Sequence, residues 1–285
     1  MDTNIQTQDK PQLHQSDLGM LGTCQIKWRR MRGFRFGVAE KEEIPPPTVN
    51  MAIGTAVHKT AQRYLGAKLR GEQLPDAKEI RSLALAETTR LWQEGLFLNP
   101  EEALDIEGTQ KEMTATAEQL ATLYLYEIGP KMMPAAVEEP WVVKLDNYPF
   151  DLSGQFDLRE TNYVLHDLKT KGMTPQAYAA DSVQTWMYSY AASIVVPELE
   201  GKLPPRFDLD CLIATGKSFK AVTISAVPTQ LWVDRLFARL DNFAQLIAAA
   251  KAGHDVFTPA DPEHPWACRR KMCPFWNSCS FWCGR

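Results

Sequence analysis

The stretch from Asp151 to Lys171, DLSGQFDLRETNYVLHDLKTK, constrains this chain more than any other. Its apolar residues leave little choice but a β-hairpin, and the polar ones between them include two aspartates and a lysine. Tyr148, Phe150, Leu152, Phe156 and Leu158 alternate with Pro149, Asp151, Ser153, Gln155 and Asp157, the period-two pattern of a half-buried strand. Asp157 then falls on the polar face. Glu160, Thr161 and Asn162 suit a turn, and Tyr163 to Lys169 is a second run rich in strand formers. Asp167 and Lys169, two apart, share a face. With Glu160 to Asn162 as a three-residue loop, the numbers of opposed residues sum to an even value, so Asp157, Asp167 and Lys169 project to one side. In this register Asp157 faces Leu165, with Asp167 its diagonal neighbour. A slip of one residue would scatter the three.

Two carboxylates so placed offer hard oxygen ligands to Mg²⁺ or Mn²⁺, and a nearby lysine can orient an attacking water or neutralise charge developing at phosphorus. The plain alternative is an amphipathic hairpin whose solvated face happens to read Asp, Asp, Lys. The wider pattern bears on that choice. Gly154-Gln-Phe-Asp157 followed by Asp167-Leu-Lys-Thr170, with Gly54-Thr-Ala-Val-His58 upstream and Gln184-Thr-Trp-Met-Tyr188 downstream, resembles the PD-(D/E)xK nuclease core of RecB-type domains. The resemblance implies an α/β, restriction-endonuclease-like fold with a mixed central β-sheet flanked by helices. It also implies metal-dependent hydrolysis of phosphodiester bonds in DNA, with Asp157, Asp167 and Lys169 as the catalytic residues. His58, Asp157, Asp167 and the Leu168 carbonyl would hold the cation, and Gln184 and Tyr188 would touch the DNA strand. Such domains often carry a glutamate ahead of the hairpin, where this chain has both Glu138 and Glu139.

The 285 residues, 45% of them hydrophobic, suffice for a substantial core. No apolar run approaches a membrane span, and the first twenty residues lack a signal-peptide core, so a cytoplasmic protein without membrane contact is expected. A net charge of −4 argues against a chain that coats DNA indiscriminately, which leaves local basic patches. One is Lys27-Trp-Arg-Arg-Met-Arg-Gly-Phe-Arg35, where Lys27, Arg29 and Arg30 beside aromatics suit phosphate contact and base stacking. Long basic side chains can equally just cover a helix surface.

Residues 1–15 are polar and without period, the expectation for a disordered arm. Residues 16–285 read as a single domain with a helical insertion over about 76–129 and a cysteine-rich segment at 264–285. Ser16-Asp17 suits the cap of a short helix leading to Cys24. Helical patterns run over about Met51–Leu69, Asp76–Glu94, Glu101–Glu127, Pro175–Val196 and Thr229–Ala252. Trp141–Leu145, Phe207–Thr215 and Phe219–Val227 read as strands, the second carrying Cys211 as a core thiol.

The cysteines stand at 24, 211, 268, 273, 279 and 283, and in a cytoplasmic chain such crowding at one end points to metal ligation before disulfides. The paired C-x₂-C knuckles of common zinc sites are missing. One distant amino-terminal cysteine with a carboxy-terminal trio resembles the iron–sulfur variety of RecB-type nucleases, such as the CRISPR-associated and AddB-like domains. By that resemblance Cys24, Cys268, Cys273 and Cys279 would hold a 4Fe-4S cluster that clasps the two termini. The spacing here is C-x₄-C-x₅-C where the family commonly has C-x₂-C-x₅-C, Cys283 is a further candidate, and four thiolates could also hold Zn²⁺. The clasp would carry Arg269, Arg270 and Lys271 towards the Lys27–Arg35 segment. The expectation is an exonuclease acting on single-stranded or frayed DNA ends. The chain carries no P-loop, so unwinding would fall to a helicase or recombination partner. The alternatives are a catalytically silent DNA-binding or adaptor subunit of the same fold, and a zinc-stabilised DNA-binding protein.

Overall fold

In a computed structural model of the chain, which describes residues 10–172, 182–216, 218–260 and 268–281, six strands form one mixed sheet. They are β1 (Gln12–His14), β2 (Pro134–Val143), β3 (Asp151–Glu160), β4 (Leu165–Lys171), β5 (Phe207–Thr215) and β6 (Ser218–Ala226). The helices are α1 (Gln15–Thr23), α2 (Gln25–Arg32), α3 (Val49–Arg70), α4 (Ala77–Glu94), α5 (Ile106–Glu127), α6 (Val183–Val195) and α7 (Gln230–Lys251). Helices α1, α2, α6 and α7 bury their apolar stripes in one core, and α3, α4 and α5 in another on the opposite face of the sheet. This is the expected α/β arrangement of a mixed sheet between helical layers. Among the described residues no helix is long and apolar enough to cross a membrane.

Strand β3 organises the sheet because it has three partners. Antiparallel β2 runs along one edge of it, from Leu152 to Glu160. Parallel β1 and antiparallel β4 therefore share the other edge, β1 against Asp151–Ser153 and β4 against Leu158 and Arg159. Beyond that short pairing β4 continues alongside β5, with which it is parallel from Leu165 to Lys171. The hairpin loop has the expected three residues but lies one position later. Glu160 N–H donates to Val164 O at 2.9 Å, closing Thr161–Tyr163, and Tyr163 takes the left-handed conformation at φ 67° that ends such loops. Opposed numbers therefore sum to 324 in the pair Leu158–His166, and Leu165 pairs with Arg159 rather than Asp157.

The N-terminal expectations need correction. Residues 1–9 lie outside the described residues, but Gln12–His14, assigned above to a disordered arm, are a sheet strand whose Leu13 is fully buried. Helix α1 is capped by His14, not by Ser16-Asp17, and buried Asp17 serves as its N3 partner. That carboxylate accepts from His14 N–H at 2.9 Å, Trp28 Nε1 at 3.3 Å and Arg35 Nη2 at 3.1 Å, tying strand and both helices together. Much of the basic segment is thereby engaged internally. Arg29 Nε donates to Val38 O at 3.0 Å, and Arg30 pairs with Glu43 at 2.6 Å. The other elements sit near their expected positions, except that β2 starts at Pro134 instead of Trp141; the expected helical residues 175–181 lie outside the described residues.

Leu13→Ala tests the added strand. Truncating a fully buried leucine is expected to cost about 2–5 kcal/mol, read as a lower urea midpoint with unchanged m-value; the loss expected of an arm is nil.

Candidate active site

The side chains of β2 and β3 change faces together at one level. Leu152 and Phe156 pack in the core of α6 and α7, yet Leu158, two residues on, packs in the core of α3 to α5. Across the ladder Trp141 and Val143 belong to the first core and Val137 to the second. Strict alternation would have kept each set on one face. The switch falls between the pairs Glu139–Phe156 and Val137–Leu158, where Glu138 stands across from Asp157. Glu138 has φ 51°, a left-handed conformation that costs a non-glycine residue about 1–2 kcal/mol and is often stored at functional positions. At this level β3 also parts from β4, and Asp157 Oδ2 accepts the Leu168 N–H at 2.8 Å in place of a backbone carbonyl.

Helix α3 brings the histidine. Thr48 caps it, its side chain accepting Met51 N–H at 3.3 Å. A Cβ on Gly54 would lie 3.2 Å from Thr170 Oγ1, so the glycine lets the helix close on β4. One turn later His58 Nε2 lies 2.9 Å from Leu168 O. With Nε2 donating to that carbonyl, the Nδ1 lone pair turns towards Asp157 Oδ2 at 3.6 Å and Glu138 Oε1 at 4.0 Å. One ligand atom from each of these three residues lies within 4.8 Å of the others. Donors about 2.1 Å from an octahedral Mg²⁺ or Mn²⁺ stand roughly 3–4.2 Å apart, so imidazole and both carboxylates fit one such cation. The Leu168 carbonyl, expected among the ligands, orients the histidine.

Glu138, and not Glu139, completes the trio. Glu139 is held by Arg159 at 2.9 and 3.0 Å, whereas Glu138 Oε2 accepts from Gln155 Nε2 at 2.5 Å. The Glu-Glu pair was the sequence signal for this ligand; the backbone twist that selects one of the two leaves no mark in residue types. Burial, then the charge of Asp157, hold the Glu138 carboxyl above its ordinary range. For Asp157, burial and then the Asp167 charge push the pKa up to about 6. Asp167 is itself buried and sits behind the trio, its Oδ1 accepting from Lys169 Nζ at 2.9 Å and Gln184 Nε2 at 2.5 Å. Burial pulls the Lys169 ammonium down, but Asp167 and Asp157 outweigh it and raise its pKa overall. Tyr188, expected at the DNA strand, is buried edge-on to Trp141 and Phe156, and burial raises its phenol. Tyr188 thus stands in the core, and half-buried Gln184 is engaged by Asp167.

Four cysteines from the two ends of the chain meet at a second place. Cys24, Cys268, Cys273 and Cys279 line one cavity of about 90 Å³ together with Lys27, Arg30 and Trp276. Cys24 is the N-cap of α2, its Sγ accepting Lys27 N–H at 3.4 Å. Arg30 reaches the tail through Ser278 Oγ at 3.0 Å and lies 4.1 Å over the Phe275 ring. Burial raises the Cys273 thiol, and Cys211 is a core thiol on β5, as expected. Cys283 lies outside the described residues.

The model of the PD-(D/E)XK nuclease superfamily matches residues 12–280. No curated protein matches the chain. Among solved structures it is similar to a candidate exonuclease from Eubacterium rectale, at 14% identity and a TM-score of 0.49 over 97% of this chain and 93% of that one. It is also similar to the protein SSO0001, at 12% identity and a TM-score of 0.31 over 79% of this chain and 94% of that one.

The crowding of carboxylates sets a pH dependence. Asp157 holds its proton up to about pH 6 in the folded chain, against about 3.9 when unfolded. Between those values the folded state binds more protons, so stability falls as pH rises through the window, and at neutral pH the ionised group destabilises by the order of 1–3 kcal/mol. Asp157→Asn is therefore expected to raise the metal-free melting temperature at pH 7.5 and to leave it nearly unchanged near pH 4. Mn²⁺ should stabilise the parent chain and not the variant. A less stable variant at pH 7.5 would contradict the assigned geometry.

Proposed function

The chain belongs to the PD-(D/E)XK nuclease superfamily, and on that footing we propose that it is a Mg²⁺- or Mn²⁺-dependent deoxyribonuclease, an exonuclease working on single-stranded or frayed DNA ends. The observation that carries this is the meeting of His58, Glu138 and Asp157 around one point, with Lys169 held beside them by Asp167. A divalent cation among those donors would supply Lewis-acid activation of water and of the phosphate oxygens. Lys169 stays protonated, so it donates to a phosphate oxygen or steadies the attacking water and does not act as the general base. Asp167 orients that ammonium, and Gln184 fixes Asp167. Gln184 and Tyr188 then act as positioning residues for the carboxylates.

We assign Cys24, Cys268, Cys273 and Cys279 to a 4Fe-4S cluster in the shared cavity. What supports a shared cluster is that four cysteines from both ends of the chain line one cavity. Lys27 and Arg30 beside the cavity offset thiolate charge. A helicase or recombination complex as partner, and a cytoplasmic setting, complete the reading.

Asp167→Asn and Lys169→Ala are each expected to lower Mn²⁺-dependent cleavage of end-labelled single-stranded DNA by roughly 10²-fold or more, with circular DNA resistant throughout. Retained turnover in either variant would remove that residue from the site. Because protons compete with the cation for Asp157, the Mn²⁺ concentration for half-maximal rate should rise as pH falls below about 6. A separate test reads the cysteines: Cys24→Ala should lose iron, sulfide, visible absorbance and thermal stability together, whereas stoichiometric zinc in anaerobically purified protein would refute the cluster.

A further inference from the structure

A groove of about 630 Å³ opens over His58 and Glu138 of the trio, with Lys169 on its lining, and is walled on one side by a face of α3. Asn50, Met51, Thr55, Lys59 and Gln62 of that helix line it, opposite Gln155 of β3 and Thr170 of β4. Two features set it apart from a simple phosphate track. Among the described residues on its lining, Lys59 and Lys169 carry the ammonium groups and Glu138 the carboxylate, and the other polar side chains apart from His58 are neutral amides and hydroxyls. Met51 stands 60% exposed on its rim, seven residues, or about 10 Å of helix, from His58. Lys59 Nζ lies 3.2 Å from Gln62 Oε1, which holds the ammonium on the groove side of α3.

Amides and hydroxyls offer both donors and acceptors, which suits base edges and sugars as well as phosphates. A thioether packs well on the face of an aromatic ring. In a duplex those edges are paired and those faces stacked; in a single strand both are available. We propose that this groove is the track for one unpaired nucleic-acid strand, with Lys59 on a phosphate next to the scissile one and Met51 packed on an unstacked base further along α3. The inference rests on the nuclease reading of the trio and adds to it the surface that selects single strands.

The test separates binding from cleavage. In an Asp167→Asn background, which blocks turnover, fluorescence anisotropy is measured with a labelled oligothymidine and with the same strand annealed to its complement. The single strand should bind at least about tenfold tighter, because only it offers base faces worth roughly 1–3 kcal/mol each. With two ammonium groups in contact, log K should fall against log[salt] with a slope of about −1.4, and Lys59→Gln should reduce that slope by about 0.7. Met51→Ala should weaken single-strand binding about fivefold or more, Met51→Leu should restore most of it, and neither should alter duplex affinity. In the catalytically intact chain, Met51→Ala should raise KM for single-stranded DNA while leaving cleavage of bis(p-nitrophenyl) phosphate unchanged, since that small diester does not reach the rim. Equal affinity for duplex, a salt slope several times steeper, or Met51→Ala without effect on single-strand binding would each overturn the proposal. Failure of the nuclease reading looks different: neither DNA nor the small diester is cleaved, while the binding pattern holds.

Discussion

The bond from Leu168 N–H to the Asp157 carboxylate is the joint on which the site depends. Strand β3 gives one edge to β2 and divides the other between β1 and β4, so β4 must leave it just where Asp157 lies. A backbone N–H freed inside a protein costs about 1–3 kcal/mol if nothing accepts it. Asp157 accepts it, and the oxygen so fixed, Oδ2, is the one that faces His58 Nδ1. The same residue thus closes the gap in the sheet and presents a ligand atom. The Leu168 carbonyl serves the other partner by orienting His58, so the main chain of a single residue aligns both side chains.

Charge explains why the arrangement calls for a cation. Glu138, Asp157 and Asp167 crowd into a half-buried space, and the first two are held above their ordinary titration range. Lys169 answers Asp167 directly, at 2.8 Å from its Oδ2, whereas Glu138 and Asp157 face His58 at 4.0 and 3.6 Å and feel Lys59 and Lys169 only at longer range. Desolvated like charges of this kind persist where function requires them, and their repulsion is relieved by a bound ion. Gln184 donates to the same Asp167 oxygen as Lys169 and so limits how far that carboxylate can turn towards the trio.

Most of the architecture was legible in residue order. A period-two run gave β3, runs of strand formers gave β4 to β6, and 3.6-period stripes gave the long helices, while the hairpin loop closed one residue later than expected and shifted the register sum by two. What escaped was whatever depends on partners remote in sequence. Leu13 in β1 is an isolated apolar residue in a polar stretch, and its strand exists only because β3 has a free edge there. Asp17 reads as a helix cap until three donors from other elements converge on it. Arg29 and Arg30 read as a DNA surface, since nothing in the local pattern reveals Val38 or Glu43 as their acceptors. The choice of Glu138 over Glu139 follows from a face switch that breaks the very alternation by which strands are read.

The two donor sets also differ in hardness, and the fold keeps them apart. Imidazole and carboxylates come from α3, β2 and β3, with α3 in the layer on one face of the sheet. The thiols come from the junction of α1 with α2 and from the tail beyond α7, and Cys24 and Cys279 pack against the core of the opposite face. Carboxylate and carbonyl oxygens suit Mg²⁺ and Mn²⁺, whereas thiolates select softer ions. A sheet between them means that neither set can complete a site with members of the other. The thiol set further joins segments more than two hundred residues apart, a long loop whose closure removes unfolded-chain entropy wherever the thiols share a ligand. It does so through α1 and α2, the same layer that Asp17 fastens to β1 and hence to the free edge of β3. The route from the cavity to β3 is therefore mechanical: it runs through α1, β1 and the edge that β1 shares with β4.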